Sequence, residues 1–454
     1  MKETKNTRLL PLVSAGLCLL SVAVESAAGT VGNGQYSGLS VGSGGVVELN
    51  GTPYTGIGVN LVQPALMDLL ANPNDPAVAQ DFSELEAAHI PFVRFPALAA
   101  WGTETQQYTY LTNVYLNDPT KYYSAMDKLC SIANQYHVGL IPNLFGTPWW
   151  PNSLAEGEAT GTAAYAAAQG LAPWTNPNSA VYQIWAQYTS QMVTRYEHNP
   201  AIWGWEFSGE MNLSMDLPNA AQQFPGYQPS WDYTHAQMWK VSQQFVNLVR
   251  QYDPYHIIIS GNSFPSTSSY HNMVDHNWTT DTPAQWAYML KMDNSAFDTI
   301  SGHAYGSTAL EDINLATAVS AQLHKPLFVG EFGVPGTKAE SQSLFQEMLN
   351  TLVADKVPLA AVWAFDEPDQ TMAEGEANDW SITPTNDRSF MLTAIEAANA
   401  ADGNPVPEPT TLGLFGVGGA LGLLLLKRRR KDGRKNSGAV FTVRRDGTLF
   451  KGAL

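Results

Sequence analysis

Polar side chains able to do chemistry recur toward the ends of short β-rich runs. Arg94 lies in FVRFP, Asn143 in GLIPNLF and Glu210 at the end of IWGWEFSGE. His303 and Tyr305 lie in TISGHAY, Glu331 in PLFVGEFG, and Trp363 and Asp366 in AAVWAFDE. Scattered surface polarity would not produce that placement. Glu210 and Glu331 are the pair of interest. Two converging carboxyl groups can split an acetal in two steps, one attacking carbon while the other protonates the leaving oxygen and later activates water. Retention of configuration requires the carboxyl groups to stand about 5–5.5 Å apart. The bland alternative is a pair of solvated strand-end carboxylates. Glu206 shares a strand face with Ser208 and Glu210 and reads as an interior, hydrogen-bonded residue. Asp366 and Glu367 read as rim residues.

These residues need a scaffold that gathers strand ends. Eight β-rich runs stand at 56–61, 92–96, 139–145, 202–210, 256–263, 299–305, 326–333 and 360–367. Amphipathic patterns separate most of them, such as VYQIWAQYTSQMVTRYE and HAQMWKVSQQFVNLVRQY. Alternation of this kind predicts an α/β fold, a (β/α)8 TIM barrel with long loops at the C-terminal face of its strands. A doubly wound open sheet is the alternative, but no glycine-rich nucleotide loop follows the first run. Residues 30–55 form a glycine-rich lead-in with a hairpin expected at Leu49-Asn50-Gly51. Long loops at about 146–180 and 211–234 leave the face where barrels carry their active sites.

Composition narrows the substrate. Charged residues make up only 14% of the 454, against the usual quarter, so the surface is polar but mostly uncharged. Residues 29–426 carry 11 basic and 37 acidic residues, which disfavours nucleic acid and other polyanions. A neutral polysaccharide or oligosaccharide fits better. The 13 tryptophans include Trp101, Trp149 and Trp150 after the second and third runs, candidate platforms for sugar rings, with ordinary packing as the alternative for each. Cys130 falls in a helical pattern and reads as a buried structural thiol. His271, Asp275 and His276 share a loop, but no set completes a zinc pattern and ordinary loop polarity explains them. There is no GxSxG elbow, P-loop or dinucleotide fingerprint, and the expectation is no metal and no cofactor.

The two ends read as addresses. Residues 1–28 have the order of a secretory signal peptide: Lys2, Lys5 and Arg8, an apolar run, then Ser26-Ala27-Ala28. Near the other end, Val406-Pro407-Glu408-Pro409 precedes an apolar segment at 410–426 and a basic cluster, Lys427 to Lys431. The segment is at the lower limit for spanning a bilayer, and it is the only part expected to meet a membrane. Residues 405–431 resemble the PEP-CTERM sorting signal. That resemblance implies processing by a membrane-embedded exosortase and display on the surface or in the matrix of a Gram-negative bacterium. A further basic tail, 432–454, departs from the usual pattern; a plain C-terminal anchor is the alternative.

The remaining body, 29–404, resembles clan A glycoside hydrolases, most nearly the cellulases and mannanases around family 5. FVRFP is similar to the second-strand arginine motif, NPAIWGWEFSGEMNL to the fourth-strand acid/base motif, SGHAY to the sixth-strand His-x-Tyr and FVGEFG to the nucleophile motif. The resemblance implies Glu210 as general acid/base and Glu331 as nucleophile. Tyr305 would hydrogen-bond the nucleophile, Arg94 would pair with it by charge, His303 would line the site and Trp363 would floor it. Asn143 sits where relatives carry a polar strand-three residue. One departure stands out: Gly209 occupies the place of the family's asparagine, which contacts the sugar 2-hydroxyl. The expectation is a secreted retaining β-glycosidase acting on mannan or glucan. A carbohydrate-binding barrel without activity, or a transglycosylase remodelling the producer's matrix, are the alternatives.

Overall fold

The computed structural model describes residues 36–62, 65–98, 111–112, 114–145, 172–219, 233–366 and 380–401, with strand residues 440–443 and 449–452. Three short antiparallel strands come first: β1 (Leu39–Val41), β2 (Val47–Leu49) and β3 (Thr52–Pro53). The turn between β2 and β3 is Asn50-Gly51, both with positive φ (54° and 78°), as the sequence predicts for a tight hairpin.

Eight parallel strands follow: β4 (Gly56–Asn60), β5 (Phe92–Pro96), β6 (Gly139–Asn143), β7 (Gly204–Glu206), β8 (Ile257–Ile259), β9 (Ile300–Ala304), β10 (Leu327–Phe332) and β11 (Leu359–Val362). Their order is β8-β7-β6-β5-β4-β11-β10-β9, so the first barrel strand pairs with the eighth and the sheet curls into a nearly closed TIM barrel. Side chains bridge the remaining seam. Ile258 N–H donates to Asp298 Oδ2 (2.7 Å), and Asp298 N–H donates to Ile258 O (3.0 Å). Asn294 Oδ1 accepts from Ser301 N–H (3.1 Å) and Ser260 Oγ (2.6 Å). Backbone groups that lack a ladder partner are thereby satisfied.

Each expected run contains one of these strands; the run at 92–96 is strand throughout, and the others are shorter than expected. The largest difference is at 202–210, where only Gly204–Glu206 is strand. Phe207, Ser208 and Glu210 bond instead along the end of β8 and the residues that follow it: Phe207 N–H to Ile259 O (2.8 Å), Ser208 N–H to Ser260 O (3.2 Å), Glu210 N–H to Gly261 O (2.8 Å). That close approach needs a glycine. A Cβ on Gly261, whose φ is +72°, would lie 1.5 Å from Ser208 O.

Helices wrap the outside. Helix His235–Tyr252 begins with a capping box of Thr234 and Gln237 and buries Met238, Val241, Phe245 and Val249 at helical spacing. Helix Pro119–Gln135 is capped by Asp118 and buries Cys130, whose thiol burial pushes up to about 12. The lead-in is more than a leader. Leu39 and Val47 pack with Phe92, Ile141, Ile257, Ile259, Phe328 and Leu359 in an apolar plug inside the barrel. Among the described residues no helix is long and apolar enough to cross a membrane, and the segment 410–426 lies outside them. Val440–Val443 and Leu449–Gly452, within the expected tail, pair antiparallel.

Candidate active site

The strand ends deliver their polar side chains to one cluster. Arg94 on β5 is buried and sits between two carboxylates. Its Nε and Nη2 donate to Glu206 (2.6–2.9 Å), and its Nη1 donates to Glu331 Oε1 (2.6 Å). Glu206 also accepts from Asn143 Nδ2 (2.5 Å) and is fully buried, the interior role expected of it. A buried carboxylate of this kind is tolerable only because each oxygen is met by donors.

Glu331 lies within β10, with Arg94 on one oxygen and the Tyr305 hydroxyl donating to the other (2.9 Å). Burial, followed by the neighbouring Glu331, raises the Tyr305 phenol well above its ordinary value, so it stays a donor. Glu210 is placed differently from the expectation that it ends a strand. It stands four residues past β7 in a left-handed conformation (φ 54°, ψ 24°), at the head of the 3-10 turn Met211–Ser214. Such a backbone is uncommon for a residue other than glycine and is held here by the bond to Gly261. A reciprocal pair latches the same turn: Asn212 Nδ2 donates to Ser263 O and Ser263 N–H to Asn212 Oδ1, both 2.9 Å.

His303 joins the two acids. Its Nδ1 lies 2.9 Å from Glu210 Oε1 and 3.4 Å from Glu331 Oε2. Burial depresses the imidazole to about 4, so it is neutral at ordinary pH. Nε2 has no partner among the described residues, which favours the tautomer with the proton on Nδ1, donating to Glu210. A donor ring atom of His303 and one oxygen from each acid lie within 4.8 Å of one another. Oxygens of the two acids are thus nearer to each other than the about 6.5–9.5 Å expected of an inverting pair. Burial raises the Glu210 carboxyl to about 7, against the opposing pull of Arg94 and a hydrogen bond from Ser263. A carboxyl that is half protonated near neutrality is suited to general acid catalysis.

A family model for cellulase, glycosyl hydrolase family 5, matches residues 48–367. The chain belongs to glycosyl hydrolase family 5. A second model, the PEP-CTERM protein-sorting motif, matches 405–431. Solved structures agree on the fold. An endo-1,4-beta-mannanase from Rhizomucor miehei is 17% identical with a TM-score of 0.57, over 80% of this chain and 100% of its own. A family 5 mannosidase from the same organism is 12% identical, with a TM-score of 0.54 over 81% and 98% of the two chains. An endo-beta-1,4-mannanase from Thermotoga petrophila is 12% identical, with a TM-score of 0.53 over 78% of each chain. A comparison with curated proteins finds no match.

In this family 5 glycoside hydrolase, seven of the expected site residues can be placed. Arg94, Asn143, Glu210, His303, Tyr305 and Glu331 form the network above. Trp363 is 7% exposed and packs beside Val62, Tyr305 and Trp380. The peptide bond between Trp363 and Ala364 is cis. Trp101, Trp149, Trp150 and Glu367 lie outside the described residues. Asp366 bonds the Asp81 carboxyl, which burial and then Asp366 push up to about 8. His271 pairs with Asp281 through Nδ1 (2.6 Å).

Sequence reasoning missed Asn60. Its Oδ1 accepts from Arg94 Nη1 (2.8 Å) and its Nδ2 donates to Gly330 O (3.0 Å) and Val362 O (3.3 Å). It thus ties the ends of β4, β10 and β11 together and orients the guanidinium. The signal was present, since Asn60 is the polar end of the run GIGVN. Gly330 was missed as well. A Cβ there would press to 3.0 Å from His303 Nε2. Trp380, stacked edge-on to Tyr305 at 5.5 Å, follows no strand and carried no signal.

Proposed function

We propose that the chain is an exported retaining β-glycosidase acting on a β-1,4-linked neutral polysaccharide, mannan before glucan. The observation that carries the mechanism is the carboxylate pair, with oxygens of Glu210 and Glu331 within 4.8 Å and unlike surroundings. Glu331 attacks the anomeric carbon while Glu210 passes its proton to the departing glycosidic oxygen, giving a glycosyl ester on Glu331 and a free alcohol. Glu210, now ionised, takes a proton from water, which displaces Glu331 and regenerates both groups. Arg94 and Tyr305 hold the attacking oxygens in place, and His303 orients Glu210. The mannan preference rests on the β-1,4-mannanase and mannosidase neighbours, whose likeness in sequence is low. Export rests on the leader at 1–28 and the sorting motif at 405–431, the latter processed by an exosortase-type enzyme, which would leave the protein at the cell surface or in its matrix.

The test is sugar release by the purified full-length protein from mannan, cellulose derivatives, mixed-linkage glucan, xylan and galactan, with Glu331→Gln alongside. Release from mannan that vanishes in the variant is the expected result. Early product with inverted anomeric configuration by NMR would overturn the mechanism. Gly209 favours a second reading, a barrel that binds glycan without cleaving it, because the side chain expected beside the acid/base is gone. Equal glycan binding by wild type and Glu331→Gln, with no turnover by either, would establish that reading. Longer products at high substrate would instead mark a transglycosylase.

A further inference from the structure

The turn that carries Glu210 is fastened to a neighbouring segment at two points. Glu210 N–H donates to Gly261 O (2.8 Å), and two residues further along each stretch Asn212 meets Ser263. Between these points the chain is not extended. Glu210 is left-handed, Met211–Ser214 is a 3-10 turn, and Leu213 N–H donates back to Glu210 O (3.0 Å). A turn of this kind directs its backbone groups along its own axis rather than sideways. The Asn212 carboxamide supplies the missing link: Oδ1 accepts from Ser263 N–H and Nδ2 donates to Ser263 O, both 2.9 Å. One donor and one acceptor are exchanged with a single residue, as in a hydrogen-bonded pair of an antiparallel ladder.

The local sequence does not fix this turn. Gly209, immediately before Glu210, has the widest choice of φ and ψ of any residue. A left-handed glutamate costs about 1–3 kcal/mol and persists only where its surroundings over-determine it. Asn212 is buried, so losing its bonds would leave the Ser263 peptide groups short of partners. The segment it grips is itself anchored. Ser260 Oγ donates to Asn294 Oδ1 (2.6 Å), and Asn262 Nδ2 donates to Asp293 O (3.0 Å). The Ser263 hydroxyl in turn donates to Glu210. Asn212 therefore joins the backbone of the acid/base and one of its side-chain partners into a single unit.

A proton passes only over hydrogen-bond distance, and a misplacement of about 1 Å can cost about 10²-fold in rate. The other acid does not depend on this turn, because Glu331 is held within β10 by Arg94 and Tyr305. Loosening the chain at residue 212 should therefore reach one acid and spare the other. We propose that Asn212 is a positioning residue for the proton transfer, holding Glu210 in line with the departing glycosidic oxygen through its paired bonds to Ser263. The proposal rests on the assignment of Glu210 as the acid/base. Asn212 acts through the turn and not on the substrate.

The test compares full-length wild type, Asn212→Ala and Glu210→Gln on two substrates: the polysaccharide that wild type cleaves, and an aryl glycoside whose leaving group departs without a proton. Urea unfolding gives the folded fraction of each protein. Asn212→Ala should lose about 10²-fold in kcat on the polysaccharide with KM little changed, and far less in the pre-steady-state release of aryl alcohol. A residue that merely keeps the turn folded would lower both rates by one factor. Where alanine leaves too little folded protein, Asn212→Asp keeps the shape and the acceptor for Ser263 N–H but gives up the donor to Ser263 O, and should show the same split. Equal loss on both substrates, or full activity on both, while Glu210→Gln shows the split, overturns the proposal alone. No split in Glu210→Gln, or a folded wild type silent on both substrates, overturns the reading of Glu210 and the proposal with it.

Discussion

Glu331 sits inside a strand and takes one hydrogen bond from a guanidinium and one from a phenol. Glu210 sits past its strand in a left-handed turn and faces a neutral imidazole and Ser263. The side chains are chemically identical, and the barrel gives them opposite surroundings. A fixed cation and a rigid strand suit a group that must attack along one line. Burial without a dedicated cation suits a group that must hold a proton near neutrality and then release it. The proposed division of labour therefore rests on the environments rather than on the residues.

The largest effects should come from exchanging each acid for its amide. Glu331→Gln should lose at least about a thousand-fold in kcat/KM on every substrate, because the glycosyl ester cannot form. Glu210→Gln should lose about 10²–10⁴-fold on polysaccharide. It should keep most of its glycosylation rate on an aryl glycoside whose leaving group needs no proton. Pre-steady-state release of the aryl alcohol separates the two. Equal loss of that burst in both variants would end the assignment of distinct roles.

Arg94→Met tests what holds Glu331 in place. It strips Glu206 and Glu331 of their shared cation while both remain buried. Breaking a buried ion pair from one side costs about 3–5 kcal/mol. Urea unfolding should show that loss, and Glu206→Gln added to Arg94→Met should recover part of it. No recovery would mean that charge is not what Arg94 supplies.

Glu210 makes the converse prediction. Its carboxyl is raised to about 7 from an ordinary value of 4.5. At this site the native state then binds more protons than the unfolded chain between those values, so the contribution of Glu210 to stability is fully present below pH 4.5 and is lost as pH rises toward 7. The full difference is about 3 kcal/mol at 1.36 kcal/mol per unit. Glu210→Gln should therefore raise Tm at pH 8 and change it little at pH 4. A variant less stable than wild type at pH 8 would contradict a net cost of burying the ionised Glu210.

The barrel was readable because eight β-rich runs alternate with amphipathic ones, and Arg94, His303, Tyr305 and Glu331 were readable because they sit on those runs. Period-two reasoning placed Glu206 and Glu210 on one face of a single strand. The strand stops at Glu206, and past it Ser208 and Glu210 bond to Ser260 and Gly261 beyond β8; nothing local in WEFSGE announces a left-handed glutamate. Asn60 carried the same strand-end signal as its neighbours, but its partners Arg94, Gly330 and Val362 are contributed by three other strands.

The smallest effect concerns Ser263, a residue distant in sequence from either acid. Its hydroxyl donates to Glu210 and favours the ionised form, holding the carboxyl lower than burial alone would leave it. A hydrogen bond of this kind is worth about 0.5–1.5 kcal/mol, which corresponds to about 0.4–1 pH unit. Ser263→Ala should therefore move the alkaline limb of kcat/KM upward by that amount and leave the acidic limb alone. The variant would be a better acid at pH 8 and a poorer base in the second step, where ionised Glu210 must accept a proton from water. Slower hydrolysis of the glycosyl enzyme, with the alkaline limb displaced upward, is the signature that ties Ser263 to Glu210 rather than to general packing. An unmoved limb would mean that the histidine alone sets the acid/base environment, and that the contrast between the two carboxylates rests on His303 and Arg94.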